Sequence, residues 1–335
     1  MSKVKILDCT LRDGGYVNNW GFGCGNISKI ISNLVEAKID YVECCFFKTD
    51  EYLENKTFFN SLEQLENILP QNIKKTKFCL MINYGEVPID SIFETKNNNI
   101  YFRVVFKKEK KSEALEFCKK LMQKGFKVSV NPMNTVGYSP AELLDLIKDV
   151  NCLNPEFFTI VDTNGEMKKN DVLSLFYLLD NNLNSEIKLG FHSHNNLKLS
   201  FSNALSILEQ TSKRTVVIDS SVLGIGRGAG NLCTEVLTQY LNDYYKGEYE
   251  LFPVLKLVDE CINPIFNSSP WGASVHYYLS ATNSCHPNYA SFLLNKKEMS
   301  VDILNEIFTK IPVEKKSCYD DTLIENLYNV IVKKG

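Results

Sequence analysis

The sequence predicts an α/β fold, a (β/α)8 TIM barrel followed by a mostly helical C-terminal extension. Three observations carry that expectation. Eight short apolar runs of strand character recur before residue 221, nearly all alternating with stretches of helical periodicity; such alternation implies a parallel sheet. Eight units within about 245 residues match the usual size of a closed barrel better than an open doubly wound sheet. The glycine-rich run Gly224-Ile225-Gly226-Arg227-Gly228-Ala229-Gly230 lies after the last strand, whereas a dinucleotide-binding fingerprint would follow the first.

The elements follow in order. Residues 3–9 alternate as a strand. Asn26 or Ser28 is expected to cap a helix running through Ile30, Ile31, Leu34 and Val35. A strand at 41–46 precedes a helical segment near 58–68 and a strand at 78–83. Strand 100–106 leads to a helix around 111–124 closed by Gly125. Strand 126–130 precedes a helix at 140–150, introduced by Ser139-Pro140 as N-cap and first helical residue. Strands at 157–161, 187–191 and 215–221 are each followed by a helix, around 170–181, 197–209 and 231–244. After Gly247 the strand signals stop. Val254, Leu255, Leu257 and Val258, then Ile303, Leu304, Ile307 and Phe308, keep helical spacing, interrupted at Asn263-Pro264, Ser269-Pro270 and Cys285-His286-Pro287. The expected division is a catalytic barrel over 1–248 and a helical extension over 249–335. The extension would cover a barrel mouth or join copies of the chain into a homo-oligomer.

Composition narrows the function classes. The chain has 335 residues, 44% hydrophobic and 23% charged, with a formal net charge of −3. These are ordinary values for a globular protein, and the charge points to neither nucleic acid nor an anionic membrane as partner. No apolar run approaches the roughly 20 residues of a membrane span. The N-terminus enters a strand pattern directly and lacks the apolar core of a signal peptide, so a cytoplasmic location is expected. Eleven cysteines occur without a Cys-x-x-Cys pair, and the odd count suits reduced, structural thiols.

The chemistry gathers where a barrel places it, at the C-terminal ends of its strands. His192 and His194, two of only four histidines, stand two apart on an extended chain, which points both rings to one face. Paired neutral imidazoles suit a divalent metal; a polar strand end with two hydrogen-bonded histidines is the alternative. Other strand-end positions are Arg12, Asp13, Glu43, Arg103, Asn131, Asp162, Asp219 and Asn231. Asp13 would add a carboxylate and Asn231 an amide oxygen. Two imidazoles and two oxygen donors leave two open positions on an octahedral ion, as catalysis requires. Asp13 could instead cap its own Gly14-Gly15 bend. Glu43, set among apolar residues, needs a buried partner, and Arg12 is the obvious one.

Leu11-Arg12-Asp13-Gly14, Glu43, His192-Ser193-His194-Asn195 and the run 226–231 together resemble the metal-dependent lyases and synthases related to 4-hydroxy-2-oxovalerate aldolase. Hydroxymethylglutaryl-CoA lyase and the isopropylmalate and homocitrate synthases are relatives. The resemblance covers about residues 3–245. It implies a divalent ion (Mn2+ first, with Mg2+, Co2+ or Zn2+ as alternatives) on Asp13, His192, His194 and Asn231, and an enolate-stabilising role for Arg12. It implies a 2-oxo acid and an aldehyde as substrates of a class II aldolase. The short loop at 224–231 is similar to that of the aldolases, and Tyr16 stands where they carry a histidine base and the synthases a glutamine. A tyrosine pKa near 10 makes a poorer base at neutral pH, so His286 is a second candidate. Tyr289, in Tyr289-Ala290-Ser291-Phe292-Leu293, resembles an aldolase tyrosine that reaches the active site. A Claisen-type synthase joining an acyl-CoA to a 2-oxo acid is the alternative activity. Asn19, beside Trp20, together with Arg103, Asn131 and Asp162, is expected to contact substrate.

Overall fold

A computed structural model describes residues 3–73, 75–93, 99–296 and 299–332. Eight parallel strands form a closed ring: β1 (Val4–Asp8), β2 (Tyr41–Phe47), β3 (Lys77–Asn83), β4 (Ile100–Phe106), β5 (Lys127–Pro132), β6 (Phe157–Asp162), β7 (Lys188–Ser193) and β8 (Val216–Ser220). Closure is made by β1, which pairs with β8 from Val4 against Val216 to Asp8 against Ser220, and with β2 at Leu7 against Tyr41. The TIM barrel expected from strand–helix alternation is therefore the fold. A two-residue strand, Phe58–Phe59, adds to the outside of β2. It shortens the helical segment expected over 58–68 to Leu62–Glu66, because the sheet edge takes up the phenylalanines.

One helix starts where its local signals place it, and another starts earlier. Ser139 and Glu142 form a reciprocal capping box, the Ser139 N–H donating to Glu142 Oε2 at 2.8 Å and the Glu142 N–H to Ser139 Oγ at 3.3 Å. The first long helix begins at Cys24, ahead of the expected caps Asn26 and Ser28. Gly23, at φ +83°, makes the entry turn that a side chain would strain. The apolar face of that helix, Ile27, Ile30, Ile31 and Leu34, is buried as its spacing requires.

Inside the barrel, side-chain alternation builds two layers. Leu7, Tyr41, Cys79, Tyr101, Phe157 and Val217 plug the N-terminal end, with Tyr41 edge-on to Tyr101 and Phe157 at 5.7 and 5.1 Å between ring centroids. Two residues further along their strands, on the same inward face, stand Glu43, Arg103 and Asp219, all buried. The apolar plug closes one end to water, so these charges must be satisfied by one another. A register shift between Glu43 and Cys45 against β3 marks a bulge beside this layer, a common device for aiming a side chain.

Apolar packing divides the chain further along than the expected boundary at 248/249. Val254, Leu257, Cys261 and Ile262, on helices that begin at Leu251, belong to the barrel's core. A second core starts at Cys285 and gathers Tyr289, Leu293, Leu304, Ile307, Phe308 and Ile324. The reason is the i, i+3 spacing of Val254 and Leu257, which lays an apolar stripe against the barrel wall. Among the described residues, no helix is long and apolar enough to cross a membrane.

Candidate active site

The site is assembled by the turns that leave β1, β7 and β8. A short helical turn, Thr10–Asp13, follows β1 directly. It is anchored by Asp8, whose carboxylate accepts from the Thr10 N–H at 3.0 Å and from Thr234 Oγ1 at 2.6 Å. That turn carries Arg12 and Asp13 over the barrel opening. His192 and Ser193 end β7, and His194 forms an antiparallel bridge to Asn231 in the loop beyond β8. Gly226 lets that loop approach: a Cβ there would lie 2.6 Å from Asp13 Oδ2 and 2.2 Å from Asn231 Nδ2.

Asp13, His192 and His194 offer ligand atoms that all lie within 4.8 Å of one another, and all three are buried. His194 Nε2 is 3.5 Å from Asp13 Oδ2. Its Nδ1 is 3.0 Å from the Asp162 carbonyl oxygen, which fixes the proton on Nδ1 and leaves the Nε2 lone pair facing Asp13. Burial lowers the His194 pKa, against the pull of Asp13, and favours the neutral, ligating form. Asn231 donates from Nδ2 to Asp13 Oδ2 at 2.8 Å. His194 Nε2 and Asn231 Oδ1 are buried with no hydrogen-bond partner among the described residues. Buried polar atoms left without partners on two residues that touch Asp13 are costly unless a further group satisfies them. A divalent cation fits that donor set.

A line of alternating charges supports it from below. Arg12 Nε donates to Glu43 Oε2 at 2.7 Å, and its Nη1 donates to Asp13 Oδ1. Arg103 takes the other Glu43 oxygen, Oε1, at 3.1 Å and continues to Asp219 Oδ2 at 2.6 Å. Asp219 Oδ2 in turn lies 3.1 Å from His192 Nδ1. Burial alone would raise the Asp13 carboxyl, but the Arg12 guanidinium and then His194 hold it well below the usual range. Asp219 is likewise lowered against burial, by Arg103 and His192. Two guanidinium groups thus face three carboxylates, and the negative excess favours a bound cation.

The pocket above is lined by Arg12, Asp13, Tyr16, Arg103, Asn131, Thr163, both histidines and Arg227. Asn131 acts through Arg103: its Oδ1 accepts from Arg103 Nη2 at 3.4 Å, and its Nδ2 donates to backbone carbonyls. Desolvation raises the Tyr16 phenol above its ordinary value, with Arg227 opposing, so at neutral pH it holds its proton. His286, from the C-terminal helices, reaches Arg227 with Nε2 3.4 Å from Nη1. Its Nδ1 accepts from the Asn288 N–H at 3.2 Å, which occupies the lone pair a base would use. His286 stands at the rim as a donor.

Three expected residues stand elsewhere. Tyr289 lies in the second core, its hydroxyl shared between the Lys315 and Cys318 carbonyls at 3.0 Å each. The helix from Pro287 turns it inward, away from the barrel. Tyr289→Phe is therefore expected to lower stability by about 1–3 kcal/mol while leaving catalytic turnover near wild type, checked by denaturant titration beside an activity assay. Asn19 is exposed at φ +53° and ends a helical turn. Its neighbour Trp20 is spent on packing against Tyr16, Phe46 and Phe58 and on a 2.8 Å bond to the Arg12 carbonyl. The Asp162 carboxylate accepts from the Glu166 and Met167 N–H groups, shaping the loop after β6; burial pushes its pKa up to about 7. Its contribution to the site is the carbonyl that orients His194. Arg227 carries no sequence signal of its own, because a glycine-rich run reads as backbone chemistry, and the role of Asp219 emerges only from its contacts with Arg103 and His192.

The (β/α)8 barrel thus presents a two-histidine, one-carboxylate donor set at its C-terminal face. The chain belongs to the HMGL-like family, whose model matches residues 3–245. It is 28% identical over 275 residues to a 4-hydroxy-2-oxovalerate aldolase from Bacillus cereus, covering 78% of this chain and 76% of that one. Among solved structures, the carboxyl transferase domain of Rhizobium etli pyruvate carboxylase, determined with pyruvate, matches at a TM-score of 0.70 and 12% identity, covering all of this chain and 61% of the other. The Bacillus subtilis HMG-CoA lyase matches at 0.63 and 16% identity, covering 81% and 95%. Both likenesses are of fold.

Proposed function

We propose that this protein is a class II aldolase, a divalent-metal-dependent lyase that makes or breaks the C–C bond between a pyruvate-type enolate and an aldehyde. The observation that carries it is the buried Asp13, His192 and His194 cluster beside an Arg12 already clamped to Glu43 and Asp13. Asp13, His192, His194 and Asn231 would hold the ion, and their mixed nitrogen and oxygen donors suit Mn2+ first, then Mg2+, Co2+ or Zn2+. When bound, such an ion polarises the keto acid and favours its enolate.

The chain's own residues do the rest. Arg12 Nε and Nη1 are engaged by carboxylates, and Nη2 hydrogen-bonds to none of the described residues, so it is the donor left for a negative enolate oxygen. It is preorganised, since Glu43 and Asp13 fix the guanidinium plane before substrate arrives. In condensation, the enolate carbon forms a bond to the aldehyde carbon, and the aldehyde oxygen becomes an alkoxide that takes a proton. The Tyr16 hydroxyl, protonated and on the pocket wall, is placed to give it. In cleavage the substrate hydroxyl gives its proton to the Tyr16 oxygen as Tyr16 passes its own to water, the C–C bond breaks to free the aldehyde, and the enolate carbon takes a proton from water.

The test is deuterium exchange. With Mn2+, the protein is expected to exchange the methyl protons of pyruvate in D2O and to release pyruvate from a 4-hydroxy-2-oxo acid. Absence of exchange with all four ions would overturn the reading. Release of free CoA thiol from an acyl-CoA and a 2-oxo acid, without pyruvate exchange, would favour the Claisen alternative.

A further inference from the structure

We propose that Arg227 and His286 form an anion-binding subsite at the pocket rim, selecting an aldehyde that carries a carboxylate or a phosphate. The assignment rests on the aldolase reading and names its second substrate by class.

Arg227 is placed by the loop beyond β8. Its backbone N–H donates to Asp13 Oδ2 at 3.3 Å, which fixes its Cα beside the proposed metal ligands. The side chain then crosses the face of Tyr16, 5.2 Å from the ring centroid, and ends between the Thr163 carbonyl oxygen at 3.3 Å and His286 Nε2 at 3.4 Å. Its Nε is buried with no hydrogen-bond partner among the described residues. Asp13, which the Arg227 backbone N–H touches, is already held by Arg12, and the Arg227 guanidinium forms no salt bridge among the described residues.

His286 sharpens the demand for an acceptor. It is the N-cap of the helix Pro287–Leu294, with Nδ1 accepting the Asn288 N–H. A neutral imidazole that accepts on one nitrogen donates from the other, so the cap places the proton on Nε2. Nε2–H and the Arg227 Nη1–H therefore face one another as two donors. An oxygen that accepts from both resolves the conflict, and a charged oxygen does so most strongly. Arg227 and Tyr16 share a pocket wall with the proposed ligands, so an anion held here leaves the attached carbonyl facing the enolate. A Tyr16 phenol and a guanidinium at the acceptor end also distinguish this pocket from one shaped for a small neutral aldehyde.

The experiment compares matched aldehydes in the addition of pyruvate by the full-length, Mn2+-loaded protein: glyceraldehyde 3-phosphate against glyceraldehyde, and succinic semialdehyde against butanal. The wild type is expected to favour the charged member of at least one pair by roughly 100-fold in kcat/KM. Arg227→Gln should collapse that ratio to near one, and Arg227→Lys should keep part of it by retaining the charge. A second readout needs no turnover. Calorimetric binding of inorganic phosphate or succinate to the metal-free protein should weaken at least ~10-fold in Arg227→Gln. Equal use of charged and neutral aldehydes by the wild type, or a ratio unchanged in Arg227→Gln, overturns the subsite while leaving the aldolase reading standing if pyruvate exchange persists. Failure of wild-type pyruvate exchange overturns both.

Discussion

His192→Ala and His194→Ala are each expected to abolish stoichiometric binding of a divalent ion and to lower pyruvate exchange by at least ~10³-fold, equivalent to about 4 kcal/mol of transition-state stabilisation. The magnitude follows from the geometry. Each ring supplies one of three ligand atoms clustered within 4.8 Å, so its loss leaves two. His194 is held by the Asp162 carbonyl and faces Asp13 at 3.5 Å, so alanine removes both the ligand and the contact that orients the carboxylate. Metal content after dialysis, read by elemental analysis, is the direct measurement. Chelator treatment of the wild type should reproduce the activity loss, and added Mn2+ should reverse it. Full metal occupancy in both variants would sink the ligand assignment.

Arg12→Lys is expected to lower the pyruvate exchange rate by ~10²–10³-fold, although the charge is conserved. A guanidinium serves Glu43 and Asp13 at once through Nε and Nη1 and still has a nitrogen for the substrate. An ammonium is a point charge that cannot hold that fork. Lysine is the informative choice because removing the charge would leave Glu43, fully buried, with one partner fewer, and instability would then confuse the result. Exchange within a factor of three of wild type would show that Arg12 only neutralises its neighbours.

The metal-capable pair was legible because a two-residue spacing on a strand has one geometric meaning, and His192 and His194 obey it. Arg12 and Glu43 could be paired from the sequence for a similar reason: a carboxylate set among apolar strand residues must find a cation. Tyr289 misled because resemblance of a short segment carries no information about which way its helix faces. Its hydroxyl is consumed by the carbonyls of Lys315 and Cys318, residues far enough along the chain that no local pattern announces them. Asn19, beside Trp20, reads as a substrate contact, yet Asn19 is exposed and the fold uses the Trp20 indole to brace the Arg12 turn.

The barrel, the end at which its polar strand-end residues gather, and the grouping of donors around His192 and His194 were all legible in the chain. Those follow from periodicity and from the rule that strand ends share a face, which are local properties of the chain. How the Arg12–Glu43 pair extends, to Asp13 at one end and through Arg103 to Asp219 at the other, emerges only from the folded barrel. The tertiary structure alone brought His286 from the C-terminal helices to Arg227 in the loop after β8. Contacts between residues dozens of positions apart depend on how helices pack against the ring, and that packing is set by burial summed over the whole chain.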